Sequence, residues 1–307
     1  MKALVTGGAG FIGSNFVNWA LEADRYDEIT TVDSLTYAGT TENLKETLDD
    51  DRHEFIEGDI RDEEIMDNLV AEADYIFNFA AESHVDRSIE DASEFVSTNV
   101  DGTRVLLDAA VEHGVERFVQ ISTDEVYGEI LDGEFSEDDP LAPRNPYSAT
   151  KASADLLVGS YYETHDLPTI ITRSSNNFGP HQHTEKLIPK FITRSLAGEE
   201  LPVYGDGSNI REWTYVVDNC RGIDIAAREG NPGEVYNVGA SEERTNLEVT
   251  EAILDATSGS EEQITFVEDR PGHDQRYALD TSKLEALGWK PEWTFEEGLV
   301  KTVDGLQ

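Results

Sequence analysis

The 307-residue chain has a single cysteine, Cys220, and few bases: 23 Lys and Arg stand against 64 Asp and Glu, a formal net charge of −41. One cysteine excludes an intrachain disulfide, and the absence of a Cys cluster removes the usual zinc patterns. Cys220 itself reads as a small buried apolar group. The charge argues against nucleic acid and anionic membranes as partners, because the summed field repels polyanions. No apolar stretch approaches the ~20 residues that span a bilayer, and the chain starts directly on a strand, "MKALVT", with no signal-peptide pattern. The expectation is a soluble, cytoplasmic protein without a metal centre. Disorder would also fit such acidity, but strands, glycine turns and apolar periodicity run the whole length. A folded, halophilic protein with an acid-coated surface, its self-repulsion screened by salt, fits better.

The first 170 residues alternate in type. Strands are expected at "KALVT", "EITTVD", "HEFIEGD", "DYIFNFAA", "RFVQIST" and "PTIITRS". Between them lie helical patterns at "FIGSNFVNWALEA", "TTENLKETLDD" and "DEEIMDNLVAEA", at roughly Ser93–His113, and at "PYSATKASADLLVGSYYETH". Such alternation with short connections predicts a doubly wound parallel α/β sheet of Rossmann type, with ligands beyond the carboxyl ends of the strands. After Ser174 the strands shorten and Gly, Pro and Asn punctuate the chain. Residues 1–173 are therefore assigned to a dinucleotide-binding domain, joined by a returning segment near 210–240. Residues 174–307 form a smaller, interleaved mixed α/β substrate lobe.

Two motifs carry chemistry. "VTGGAGFIGS" sets Gly7, Gly10 and Gly13 between the first strand and a helix, where backbone can approach a pyrophosphate and the helix N-terminus offers free N–H groups. A glycine turn alone is weak, but Asp33 lies twenty residues past Gly13 at the end of the second strand. An acid there bonds an adenosine ribose and repels a 2′-phosphate, so NAD is expected over NADP. Asp59 ends the third strand and would either touch adenine or cap the following helix. The second motif, "PYSATK", puts Tyr147 and Lys151 on one helix face. An ammonium beside a tyrosine, together with an oxidised nicotinamide, favours phenolate, a base for a substrate alcohol.

Together, "TGGAGFIG" and "YSATK" resemble the extended short-chain dehydrogenase/reductase family, and the likeness spans essentially the whole chain. "STDEVYG" (122–128), "FNFAAESHVDRS", "SSNNFGP", "EKLIP", "PVYGDGSNIREW" and "DRPGHDQRYA" are most similar to its dTDP-glucose 4,6-dehydratase branch. The resemblance implies a lyase of deoxysugar biosynthesis with tightly bound NAD. It oxidises sugar C4, eliminates water across C5–C6 and returns hydride to C6. Thr123 would bond the C4 oxygen, Tyr147 with Lys151 would be the C4 base, Glu125 the C5 base and Asp124 the acid at the C6 hydroxyl. Both carboxylates are expected to open into one cleft beside Tyr147.

Cofactor contacts are implied at Phe11, Ile12, Ser34, Leu35, Thr36, Ile60, Phe79, Ala80, Ala81, Ser83, Thr98 and Asn177, with Asn99 nearby. Substrate contacts are implied at Ser83, Asn176, Lys186, Leu187, Pro202, Val203, Tyr204, Arg211, Asn246, Arg270, His273 and Tyr277. His84 reads as a packed structural residue. His181 and His183 stand where relatives carry aromatics, and they do not form a metal set. The short connection from Gly128 to Pro146 leaves the cleft more open. A homodimer through the two long helices is implied as well. A sugar-nucleotide epimerase or decarboxylase, or a non-catalytic NAD-binding regulator, are the alternatives, and Asp124 beside Glu125 disfavours them.

Overall fold

The computed structural model describes residues 1–269 and 274–306. Its central sheet has seven parallel strands in the order β10-β6-β5-β4-β1-β2-β3. These are β1 (Lys2–Thr6), β2 (Glu28–Asp33), β3 (His53–Glu57), β4 (Tyr75–Asn78), β5 (Arg117–Thr123), β6 (Thr169–Ser174) and β10 (Val235–Val238). The order reverses between β1 and β4, which opens a crevice at the strand ends. Strands such as β4 and β6 are buried along their whole length, as a sheet covered on both faces requires.

Helices α1 (Phe11–Glu22) and α8 (Val216–Glu229) pack on one face, where Phe16, Val17, Ala20, Cys220 and Ile223 share a core. The other face carries α2 (Glu63–Val70), α5 (Thr103–His113) and α6 (Pro146–His165), closed by Leu106, Leu107, Ala110, Phe118 and Val158. The expected long helix from Ser93 is α4 (Ser93–Val96) running through a π-turn at Ser97–Gly102 into α5. Gly114, left-handed at φ 68°, ends it. Helix α6 starts from an Asn145 capping box with Pro146 at its first position.

The expected helix in "TTENLKETLDD" is a single 3₁₀ turn, Thr41–Leu44, followed by turns. Leu44 and Thr47 are its buried anchors. Eleven residues with so few apolar contacts do not repay the cost of helix nucleation.

A second layer covers the strand ends. It holds β7 (Asn176–Phe178), β9 (Ile210–Tyr215) and β11 (Glu243–Thr245) in one small sheet, and β8 (Leu201–Tyr204) with β12 (Ile264–Val267) in another. Helices α7 (Leu187–Leu196), α9 (Asn246–Thr257) and α11 (Phe295–Asp304) pack around them. The short helices α3 (Val85–Glu90) and α10 (Ser282–Glu285) complete the fold. Among the described residues no helix is long and apolar enough to cross a membrane.

The short connection from Gly128 to Pro146 is tied down along its length. Ile130 and Phe135 donate their N–H groups to Arg276 and Ala278, Phe135 stacks on Tyr127, and Ala142 bonds back to Val126. These bonds dock the loop onto the strap at 274–280.

Candidate active site

The glycine turn builds a cleft of about 260 Å³ along the ends of β1, β2 and β4. Gly7 has φ 65°, and a Cβ there would lie 2.6 Å from the Ala80 backbone nitrogen; a Cβ on Gly13 would lie 2.4 Å from the Gly7 carbonyl. Both positions therefore require glycine. The first helical hydrogen bond of α1 runs from Ser14 N–H to the Gly10 carbonyl, so the N–H groups of Phe11, Ile12 and Gly13, all cleft residues, precede the helical ladder. There is no side-chain cap and no acid in that first turn, so the positive end of the helix is uncompensated.

The walls include Gly7, Gly10, Phe11, Ile12, Gly13, Asp33, Ser34, Thr36, Asp59, Ile60, Phe79, Ala80, Ala81, Ser83, Thr98, Tyr147 and Lys151. Asp33 is buried and accepts the N–H groups of Ala9 (3.0 Å) and Leu35 (2.8 Å). Burial raises its pKa, and these N–H groups oppose the rise. Asp59 lies on the wall paired with Arg61 (2.7 Å), and Asp62, not Asp59, caps α2. Three expected contacts are not walls of this cleft: Leu35, Asn99 and Asn177. Leu35 turns its side chain onto the core, and Asn99 is consumed by Glu82 and Thr150.

At the Tyr147 and Lys151 end of this cleft stand the residues expected to react. β5 ends at Thr123, and Asp124–Val126 form a 3₁₀ turn. Successive side chains on such a turn diverge by about a third of a circle. Asp124 consequently points inward, 3 % exposed, while Glu125 is half-buried. Neither is among the lining residues of the cofactor cleft.

Thr123 donates to Asp124 (3.1 Å) and is hydrogen-bonded to Tyr147. Burial, then the charges of Glu125 and Glu212, push Asp124 well above the usual carboxylate range. Burial raises Glu125 too, opposed by Asn145, Lys186 and Arg211. The Tyr147 phenol is raised by burial and by both carboxylates. Lys151 does not offset this as expected. Its buried ammonium donates to the Ile121 carbonyl at 2.6 Å, and burial pushes it down to about 8. Beside it, Asp155 and Arg173 form a buried ion pair at 3.0 Å.

A second cleft, about 490 Å³, adjoins the first at Gln182 and Lys186. Asn176, Leu187, Pro202, Val203, Tyr204, Arg211 and Asn246 line it as expected. Asn177, expected beside the cofactor, lines this cleft instead, because β7 pairs with β9 of the second layer. His84 is also a wall residue rather than packing, 3.4 Å from Glu185. Tyr277 lies beneath the wall, its ring 4.6 Å from the Arg211 guanidinium. Arg270 and His273 lie outside the described residues. His181 bonds Ser14 on α1 (3.0 Å), and His183 packs edge-on to Tyr37.

Three polar residues around this centre escape sequence reasoning. Asn145 donates to Glu125 at 3.1 Å. Glu212 is buried and pushed up to about 7, accepting the N–H groups of Ser241 (2.9 Å) and Leu279 (3.1 Å). Arg144 bridges Glu129 (2.9 Å) and Asp274 (2.6 Å). The signal for Asn145 was its place before Pro146; the other two gain meaning only from contacts distant in sequence.

Known proteins share this arrangement over nearly the full chain. The low-salt glycan biosynthesis protein Agl12 of Haloferax volcanii is 67 % identical over 304 residues, covering 99 % of this chain and 98 % of its own. A dTDP-glucose 4,6-dehydratase of Actinoplanes sp. is 50 % identical, covering 99 % and 97 %. The crystal structure of DesIV, a dTDP-glucose 4,6-dehydratase of Streptomyces venezuelae solved with NAD and dTDP bound, superposes with TM-score 0.96 at 49 % identity, covering 99 % and 96 %. The model of the GDP-mannose 4,6 dehydratase family matches residues 4–302. With that match and these identities, the chain belongs to the GDP-mannose 4,6-dehydratase family of the extended short-chain dehydrogenases, and its cofactor is NAD.

Proposed function

We propose that the protein is a dTDP-glucose 4,6-dehydratase that forms the 4-keto-6-deoxy sugar and leaves NAD unchanged. The observation that carries this reading is the Asp124–Glu125 pair on the turn after β5: burial and neighbouring charge push Asp124 well above the usual carboxylate range, while Asn145, Lys186 and Arg211 oppose the rise at Glu125. Two carboxyls of similar chemistry are thereby set apart by their surroundings, Asp124 towards the acid and Glu125 towards the base.

The first cleft fits a dinucleotide: Gly7 and Gly13 admit no Cβ, and Asp33 faces where a ribose would lie. NAD, when bound, takes hydride from sugar C4 and returns it to C6. Its positive nicotinamide would oppose the burial that disfavours phenolate at Tyr147. Tyr147 then accepts the C4 hydroxyl proton, aided by Thr123. Glu125 removes the C5 proton, and Asp124 protonates the departing C6 hydroxyl, which leaves as water. Glu125 returns its proton to C5. Tyr147 has then gained a proton and Asp124 lost one; the Thr123 hydroxyl touches both and offers a path between them. In the second cleft, Asn176, Lys186 and Arg211 would hold the sugar and diphosphate, and Tyr204 with Asn246 the base.

The domain assignment follows: residues 1–173, with α8 and β10 returning to the sheet, hold NAD, and the remainder of 174–307 holds the nucleotide sugar. A homodimer through the 93–113 and 146–165 helices would cover the exposed Ile89, Val96 and Leu156. The Haloferax relative, a low-salt glycan biosynthesis protein, supports a role in glycan synthesis.

The test is incubation with dTDP-glucose, with UDP-glucose in parallel, followed by the alkaline ultraviolet absorbance of a 4-keto sugar. Product from dTDP-glucose, lost in the Asp124→Asn/Glu125→Gln double variant while NAD stays bound, is expected. Turnover surviving that double change would overturn the assignment.

A further inference from the structure

Asn145 caps α6 and touches Glu125 with the same amide. Its Oδ1 accepts the Ser148 N–H at 2.9 Å, and its own N–H donates to the Ser148 hydroxyl. That commitment settles which end of the amide faces the reactive cluster. A reversed amide would set its NH₂ against the Ser148 N–H and its carbonyl against a carboxylate. The Nδ2 therefore points at Glu125 and donates to Oε2 at 3.1 Å.

Glu125 is faced from several sides. Asp124 shares its turn, Tyr147 approaches from α6, Tyr277 and Asp274 from the strap, and Lys186 and Arg211 from the second cleft. Burial and the Asp274 carboxylate work against a charged Glu125. Lys186, Arg211 and Asn145 work for it, and Asn145 does so through a direct hydrogen bond to its carboxylate.

We propose that Asn145 is a positioning residue for the elimination: its amide holds Glu125 as an aimed carboxylate and ties it to the first turn of the helix that carries Tyr147 and Lys151. The groups acting at C5 and C4 then move as one body. This rests on the reading of Glu125 as the C5 base. In the step concerned, the C5–H bond breaks with its proton passing to Glu125, and the electron pair forms C5=C6. The C6–O bond breaks, and the oxygen leaves as water with the proton of Asp124. Protonated Glu125 cannot begin this step, so turnover falls as pH drops through its titration.

Asn145→Ser keeps a good helix cap but is too short to cap and reach Glu125 together. Losing a donor to a charged acceptor should move the acid limb of the kcat–pH profile up by about one unit. Exchange of the C5 proton of the 4-keto product in D₂O should slow over the same range, with the melting temperature unchanged. Asn145→Asp keeps the cap and adds a negative charge, so its limb should move further; it decides the matter if the Ser variant folds poorly. A rate loss uniform in pH, or an unmoved limb, overturns the proposal. Glu125→Gln separates the two ideas. If it turns over, the base assignment is wrong; if it is inactive while the limb of Asn145→Ser stays put, the role of Asn145 alone falls.

Discussion

The two clefts meet at Gln182 and Lys186, yet they are held by different means. The cofactor cleft is backbone work: a glycine turn, a bare helix N-terminus and strand ends in parallel register. The substrate cleft is side-chain work. Arg211 is fixed by carbonyls of Ile210, Asp274 and Gln275, the strap bearing two of those carbonyls is pinned by Glu129 and Arg144, and Glu212 joins β9 to that strap and to the loop before β11. The first should therefore fail abruptly and locally. The second should fail by degrees and respond to pH and salt.

The sharpest break is Gly7→Ala. The position needs φ 65°, and the new Cβ would meet backbone rather than a movable side chain. Purified protein should carry only a trace of NAD and lose on the order of a hundredfold in turnover, the cost of a misplacement of about 1 Å. Full NAD content, read from the 260/280 nm ratio, would contradict a backbone-built site.

On the other side, Arg211→Met should leave NAD in place and raise KM for the nucleotide sugar roughly ten- to a hundredfold, the range for losing a charge-assisted contact. Buried and stacked on Tyr277, Arg211 lines the second cleft with its guanidinium oriented by backbone carbonyls. Steady-state kinetics with an unchanged KM would remove it from the diphosphate site.

Glu212 gives a pH test. Burial outweighs its two N–H donors and lifts it from 4.5 to about 7. Its proton is held more tightly in the folded chain than in the unfolded one. The stability it contributes is thus full below about 4.5 and is lost as pH rises through 7. The span amounts to on the order of 3 kcal/mol. Glu212→Gln, which cannot ionise, should differ from the parent by a term that varies across pH 4.5–7 in urea melts. A pH-independent difference would mean that the two N–H donors, not burial, govern this carboxyl.

What could be read in the sequence follows the same division. The glycine turn, Asp33, the Tyr–Lys pair and the order of the first six strands are local patterns, and the structure places them where the patterns say. The misreadings came where position depends on distant partners. Asn177 sits opposite its expected neighbour because β7 belongs to the second layer, and Leu35 turns to the core because Asp33 captures its N–H. Lys151 extends to a strand carbonyl that no spacing rule identifies. Arg144 and Glu212 are two charges among 87 in a chain this acidic, and only their buried or bridging partners give them meaning.

Arg144 offers the finest probe, because it lies outside the cleft it steadies. Its guanidinium joins Glu129, which also accepts the Gln275 N–H, to Asp274, whose carbonyl receives Arg211. Arg144 is 44 % exposed, so each pair is weak. Arg144→Leu at low salt should raise KM for the nucleotide sugar roughly two- to fivefold with kcat unchanged, the range of an exposed ion pair. Molar KCl screens such pairs and should shrink the difference between variant and parent. A fall in kcat instead would mean that the loop supports Asn145 and Glu125 more than it supports Arg211. An effect that grows with salt would mean that packing of the aliphatic stem, not charge, holds the strap over the substrate.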